Sequence, residues 1–241
     1  MDGFTTIVTK EKRKRIPLKM QPIYSFLQRS MTGQNVNKED IKEQSASFIR
    51  DFFTENKMSV VRCLTMPGVS WEWERMLKLR LSHSVPSIWV SVHGCEKDYK
   101  AFCLSAAHLP CGNDGTLRPQ YSDFLKAYVV KNKPERVYLM NIDIFDLLTR
   151  NNPYPDKYHI IWFDTTGTVL SIFLRLKGLE NWIGEKCVLM ITVLKGREHW
   201  KFDSGRIDYV SKNLLPFGFT LAKQMSYFDT SPMLHLIYVK K

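Results

Sequence analysis

Apolar and polar positions along this chain switch between two periods. Asn37 precedes a segment in which Ile41, Ser45, Phe48, Ile49, Phe52 and Phe53 fall on one face at helical spacing, with Asn56 near its end, which predicts an amphipathic helix. From residue 58 onward short apolar runs take turns with helical patterns. SVVRCLTM predicts a strand, SWEWERMLKLRL a helix, SIWVSVHG a strand, QYSDFLKAYVVKN a helix, and RVYLMNIDIFDLL a strand running into a helical turn. YHIIWF then predicts a fourth strand, LSIFLRLKGLEN a helix, KCVLMITVL a fifth strand and RIDYVSKNLLPFG a helix, before FTLAKQMSYFD and MLHLIYVKK close the series.

Strands separated by helices imply a parallel sheet with helices on both faces, because parallel neighbours need crossover connections. The last two strands are joined only by the short polar link around Asp229 to Pro232 and should pair antiparallel as a hairpin. The expected fold class is therefore α/β, a Rossmann-like, mostly parallel seven-stranded sheet ending in an antiparallel hairpin. Residues 1–35 read differently: KEKRKRIPLK carries six basic groups against one acid, and Pro17 and Pro22 discourage regular structure. The chain thus divides into a basic arm, residues 1–35, and a domain, residues 36–241.

Charge sharpens this picture. Lysine and arginine total 35 against 24 aspartates and glutamates, a formal net charge of +11, which favours anionic partners such as nucleic acid. In the arm, Lys10, Lys12, Arg13, Lys14, Arg15 and Lys19 are candidates for phosphate contacts, with a solvated tail or a nuclear import signal as the alternatives. No secretory signal and no long apolar run is evident, so the expectation is an intracellular protein, cytoplasmic or nuclear, without a membrane partner. Five cysteines without a CxxC pair fit reduced thiols. His93, Cys95, Cys103, His108 and Cys111 cluster in sequence, but their spacing matches no usual zinc module, and no metal is expected.

In an open parallel sheet, ligands lie beyond the carboxyl ends of the strands. The first predicted strand ends in Thr65, Met66, Pro67 and Gly68, a loop able to place small groups and backbone donors near a ligand. The second ends at Gly94, Cys95 and Glu96, and a carboxylate there can accept both hydroxyls of a ribose. The third ends in Asn141, Ile142 and Asp143, and the fourth in Asp164, followed by Thr165, Thr166 and Gly167. Asp143 and Asp164 could instead cap a following helix or form a turn; Glu96 is set apart because no obvious helix follows it directly, the alternative there being a pair with Lys97 or Lys100. Trp71 and Trp73, at a helix start, read as core residues before a base-stacking platform.

This series of strand ends resembles the class I S-adenosylmethionine-dependent methyltransferases over about residues 58–241. The resemblance implies that the Thr65, Pro67 and Gly68 loop holds the methionine part of the cofactor, Glu96 the ribose and Asp143 the adenine. Asp164, Thr165 and Thr166 would lie beside the transferred methyl group, in a motif similar to the Asp-Pro-Tyr-Gly of some tRNA guanine methyltransferases. Two departures stand out: the first loop offers Gly68 alone where the family carries two or three glycines, and threonines replace the prolines of the amino-directed motif. The lysine, aspartate, lysine, glutamate set of ribose methylation is incomplete, with Asp164, Lys78 and Lys195 supplying three members. The resemblance therefore implies an S-adenosylmethionine-dependent methyltransferase acting on nucleic acid, RNA in particular. The alternative is an inactive protein of the same fold serving as a nucleic-acid-binding or assembly module.

Overall fold

The computed structural model describes residues 37–68, 70–84, 89–107, 117–122, 125–131, 136–150, 157–165, 167–195, 200, 202–229 and 231–241. The chain runs α1 (Lys38–Glu55), β1 (Val60–Thr65), α2 (Glu72–Ser84), β2 (Trp89–Cys95), α3 (Tyr99–Ala107), β3 (Leu117–Ser122), β4 (Leu125–Lys131), β5 (Arg136–Met140), α4 (Ile144–Leu148), β6 (Tyr158–Asp164), α5 (Val169–Phe173), β7 (Ile183–Leu194), α6 (Asp203–Leu214), β8 (Thr220–Phe228) and β9 (Pro232–Lys240). Nine strands form one sheet in the order β3-β4-β5-β2-β1-β6-β7-β9-β8. Its seven-stranded body, β5 through β8, is parallel from β5 to β7 and ends in the antiparallel β8–β9 hairpin, with β9 inserted between β7 and β8. The Rossmann-like α/β architecture and the terminal hairpin match the sequence expectation.

One predicted helix is instead a hairpin. Within residues 120–132, whose Tyr121, Leu125, Tyr128 and Val129 repeat at helical spacing, residues 120–122 fall in β3 and 125–131 in β4, which pair antiparallel, and β4 pairs antiparallel with β5. Tyr128, Val129 and Val130 are strand-favouring residues, and the backbone groups of β5 gain partners when β4 lies alongside. The crossover between β2 and β5 is made by α3, whose first turn is set by Asp98: its carboxylate accepts from the Ala101 N–H at 2.8 Å.

Both faces of the sheet are covered. Ile160 and Trp162 of β6 face α1, α2 and α3, packing in one cluster with Ile49, Phe53, Leu77 and Phe102, while Ile161 and Phe163 pack with Ile144, Leu148, Ile172 and Val210 of α4, α5 and α6. The run YHIIWF is thus a strand buried on both sides. Helix α1 begins with a capping box in which Asn37 accepts from the Asp40 N–H and Asp40 from the Asn37 N–H, both at 2.9 Å. It is fixed to the last two strands by Lys223 Nζ donating to Gln44 at 2.9 Å and by Ser45 Oγ lying 3.1 Å from His235 Nε2. Among the described residues no helix is long and apolar enough to cross a membrane.

Candidate functional site

Strands β1, β2, β5, β6 and β7 run the same way, so their carboxyl ends share one edge of the sheet. Asp164 closes β6 there. By strand alternation it lies on the face of Ile160 and Trp162, towards α1 and α2. The Nζ of Lys38, in the first turn of α1, stands 4.0 Å from its carboxylate and 3.7 Å from that of Asp229 in the β8–β9 turn. Burial raises the Asp164 carboxyl above its ordinary range, against the pull of Lys38 and Lys42. Asp164 does not cap the following helix: Thr168 does, accepting from the Ser171 N–H at 3.2 Å in a second capping box. Thr165 shapes the turn, its Oγ1 accepting from the Gly167 N–H at 3.2 Å. Thr166 lies outside the described residues.

Glu96 follows β2 and is half-buried. Its Oε1 accepts from the Asp98 N–H at 2.9 Å, its carbonyl accepts from Asn141 Nδ2 at 2.8 Å, and α3 starts three residues on. The expectation that no helix follows Glu96 closely is corrected, because Asp98 caps one. Glu96 itself forms the turn before that cap and, among the described residues, keeps its second oxygen open. Asp143 is both cap and ion pair: Oδ1 accepts from the Phe145 N–H at 3.0 Å, and Oδ2 meets Arg175 at 3.1 Å and Lys97 at 3.7 Å. Arg175 also spans to Asp146 at 3.0 Å and lies over the Phe145 ring at 4.6 Å, so a lattice of contacts holds Asp143 in place.

The loop after β1 is packed rather than open. Thr65 is buried and donates to Glu74 Oε1 at 2.8 Å. Pro67 is buried, and Trp71, fully buried, adopts a left-handed conformation (φ 55°) that a glycine would reach without strain. The Trp71 indole N–H donates to the Ser105 carbonyl at 2.9 Å, and both Trp71 and Pro67 press on Gly94, where a Cβ would sit 2.6 Å from the indole and 2.7 Å from the proline ring. Gly68 is exposed, with nothing within 4 Å of the place of a Cβ. Trp71 and Trp73 are both core residues, as their place at a helix start suggests.

Two buried polar groups beside this edge escape a sequence reading. Glu74, in the first turn of α2, is 4% exposed, and burial pushes its carboxyl up to about 7, although its own N–H and the Thr65 hydroxyl favour the charge. His235 on β9 sits between Ser45 on its Nε2 side and Thr192, whose Oγ1 is 2.8 Å from Nδ1; Trp162 Nε1 donates to the same Thr192 hydroxyl at 3.0 Å. Burial pushes His235 down to about 3 and His93 likewise. His93 lies 2.7 Å, at Nδ1, from the Tyr158 hydroxyl. Cys95 is buried and Cys103 exposed; His108 and Cys111 lie outside the described residues, and no group of three metal-ligating side chains occurs among those described. Lys195 is engaged by Asp203 and by Ser226, the latter at 2.7 Å. The basic residues Lys10, Lys12, Arg13, Lys14, Arg15 and Lys19 lie outside the described residues.

A parallel sheet with an inserted antiparallel terminal hairpin is the class I methyltransferase fold, and one solved structure bears this out. A Listeria monocytogenes protein described as a class I S-adenosylmethionine-dependent methyltransferase superposes over 90% of this chain and 66% of its own, with a TM-score of 0.52 and 10% identity, which shows the fold. MnmC2 from Aquifex aeolicus is similar over 78% of this chain and 56% of its own (TM-score 0.45, 15% identity). Magnesium protoporphyrin IX methyltransferase from Synechocystis, solved with bound SAH, is similar over 92% and 96% (TM-score 0.46, 12% identity). The chain thus spans less than two thirds of the first two of these proteins. No protein-family model and no curated protein matches the chain.

Proposed function

We propose that this protein is an S-adenosylmethionine-dependent methyltransferase acting on nucleic acid, RNA in particular. The observation that carries the reading is the position of Asp164: Thr168 takes over the capping of α5, and the Asp164 carboxylate is left at the strand end, turned to the sheet edge rather than spent on a helix cap. The residues at hand suit the nucleoside part of the cofactor, since Glu96, among the described residues, has an oxygen open to a ribose hydroxyl. The cofactor, when bound, supplies the sulfonium-linked methyl group. Glu96 then accepts from the ribose, Thr65 shapes the floor of the first loop, and Asp164 orients the acceptor or takes its proton, with positioning responsible for most of the acceleration.

The nucleic-acid partner rests on charge. A net +11 and the run from Lys10 to Lys19 offer counterion release on a polyanion. Within the domain, Lys38 adds a cation beside Asp164 at the sheet edge.

A second reading, a non-catalytic nucleic-acid-binding module, is favoured by Asp143, whose two oxygens are both committed, leaving adenine to compete with Arg175. Incubating the full chain with labelled S-adenosylmethionine and a mixture of RNA and DNA separates the two. Label transferred to nucleic acid by wild type and lost in Asp164→Asn supports the enzyme; nucleic acid bound without transfer supports the module.

A further inference from the structure

Three side chains stand in one row across the sheet. Asp164 of β6 is the register partner of Thr192 on β7, and Thr192 is that of His235 on β9. Thr192 and His235 are fully buried, and Ser45 of α1, buried as well, ends the row at His235 Nε2. The Thr192 Oγ1 lies 2.8 Å from His235 Nδ1 and accepts from Trp162 Nε1 at 3.0 Å, and the same side chain hydrogen-bonds the Asp164 carboxylate.

Counting protons decides who donates to whom. A threonine hydroxyl has one proton and two lone pairs. Trp162 fills one lone pair, so the proton and the other lone pair are divided between Asp164 and His235. An ionised carboxylate can only accept, and a hydrogen bond to it is roughly twice as strong as one to a neutral ring nitrogen, so the proton goes to Asp164. His235, kept neutral by burial, then presents Nδ1–H to Thr192 and a bare Nε2 to the Ser45 hydroxyl, which can donate as well as accept. We infer that Thr192 and His235 are positioning residues for Asp164: His235, held as its Nδ1–H tautomer, fills the second lone pair of the Thr192 hydroxyl and so commits the threonine proton to the Asp164 carboxylate. This rests on the proposed role of Asp164, whose carboxylate it keeps charged and fixed in place. Around Asp164 stand Lys38 and Lys42 from α1, which favour its charge, Asp229 from the β8–β9 turn, which opposes it, and Glu74 from α2 and Tyr227 from β8, whose own ionisation its charge opposes. Lys223 disfavours a charge on His235.

NMR on the labelled full chain tests this without any need for turnover. Ring nitrogen shifts of wild type at neutral pH should show His235 protonated at Nδ1 and bare at Nε2; the opposite tautomer overturns the inference, because Nδ1 would then take the threonine proton. Followed at its own carboxyl carbon, Asp164 should titrate at higher pH in Thr192→Val, by about one unit for a lost hydrogen bond to a charged group, and as in wild type in Thr192→Ser. An unmoved titration in Thr192→Val also overturns it. The tautomer is read on wild type, so a Thr192→Val chain that fails to fold leaves that decision standing. Where wild type transfers methyl groups, the acid limb of its pH profile should move with the Asp164 titration in Thr192→Val and stay in Thr192→Ser. A wild type that transfers none removes the proposed function, and the two NMR readings decide the placing of the threonine proton all the same.

Discussion

Thr65, the last residue of β1, and Glu74, in the first turn of α2, are joined hydroxyl to carboxyl at 2.8 Å inside the protein. Because burial holds Glu74 at about 7 against an ordinary 4.5, the unfolded chain ionises first as pH rises. Stability from the protonated group is full below about 4.5 and is lost as pH climbs through about 7, a loss of roughly 3 kcal/mol. Glu74→Gln should therefore track wild type in urea denaturation at pH 4.5 and be increasingly more stable than it up to pH 8. Parallel curves at all pH values would show that Glu74 ionises normally.

The pair Ser45 and His235 fixes α1 to β9. Ser45→Ala leaves a ring nitrogen of a fully buried histidine without its partner, a cost of about 1–3 kcal/mol in unfolding free energy. His235 and His93, both held at about 3, also add stability that is complete above about 6.5 and lost as pH falls towards 3. A Ser45→Ala variant as stable as wild type would mean that the contact carries no net weight.

Asp164→Asn is expected to keep the melting temperature within a few degrees, because Thr168 caps α5, and to keep cofactor affinity. Methyl transfer should fall by ~10²–10⁴, the range for a positioned acid or base. An active wild type with an equally active variant would remove Asp164 from the chemistry.

Two glycines should behave oppositely. Gly94→Ala places a Cβ 2.6 Å from the Trp71 ring and 2.7 Å from the Pro67 ring, neither a flexible chain end, so destabilisation of about 1–3 kcal/mol is expected. Gly68→Ala meets nothing within 4 Å and should leave the melting temperature unchanged. Reversal of that order in a thermal scan contradicts the packed first loop.

Deleting the segment from Lys10 to Lys19 should weaken nucleic-acid binding without regard to sequence. The slope of log K against log salt becomes shallower by ~0.9 per lost contact on duplex DNA. An unaltered slope assigns the segment to another task.

Strand ends are the legible part of the site. Glu96, Asp143 and Asp164 sit where apolar runs stop, and strand direction alone brings them to one edge. Their commitments are not legible, since Arg175 reaches Asp143 from 32 positions away in a connection whose path periodicity does not define. Glu74 is hidden among the alternating tryptophans and acids of SWEWER, yet its spacing to Leu77 and Leu81 puts it on the buried stripe of α2, a signal that could have found it. The β3–β4 hairpin passes for a helix because Tyr121, Leu125, Tyr128 and Val129 satisfy a helical repeat as readily as alternation in a short strand.

Helix α1 rests on strands made at the opposite end of the chain: Gln44 and Ser45 meet Lys223 and His235 across 179 and 190 positions of sequence. Docking of α1 therefore has to wait for β9. Because β9 is also the strand inserted between β7 and β8, closure of the sheet and docking of α1 belong to one late event of high contact order. The contacts of Lys38 with Asp164 and with Asp229 in the β8–β9 turn tie the site edge to that same closure.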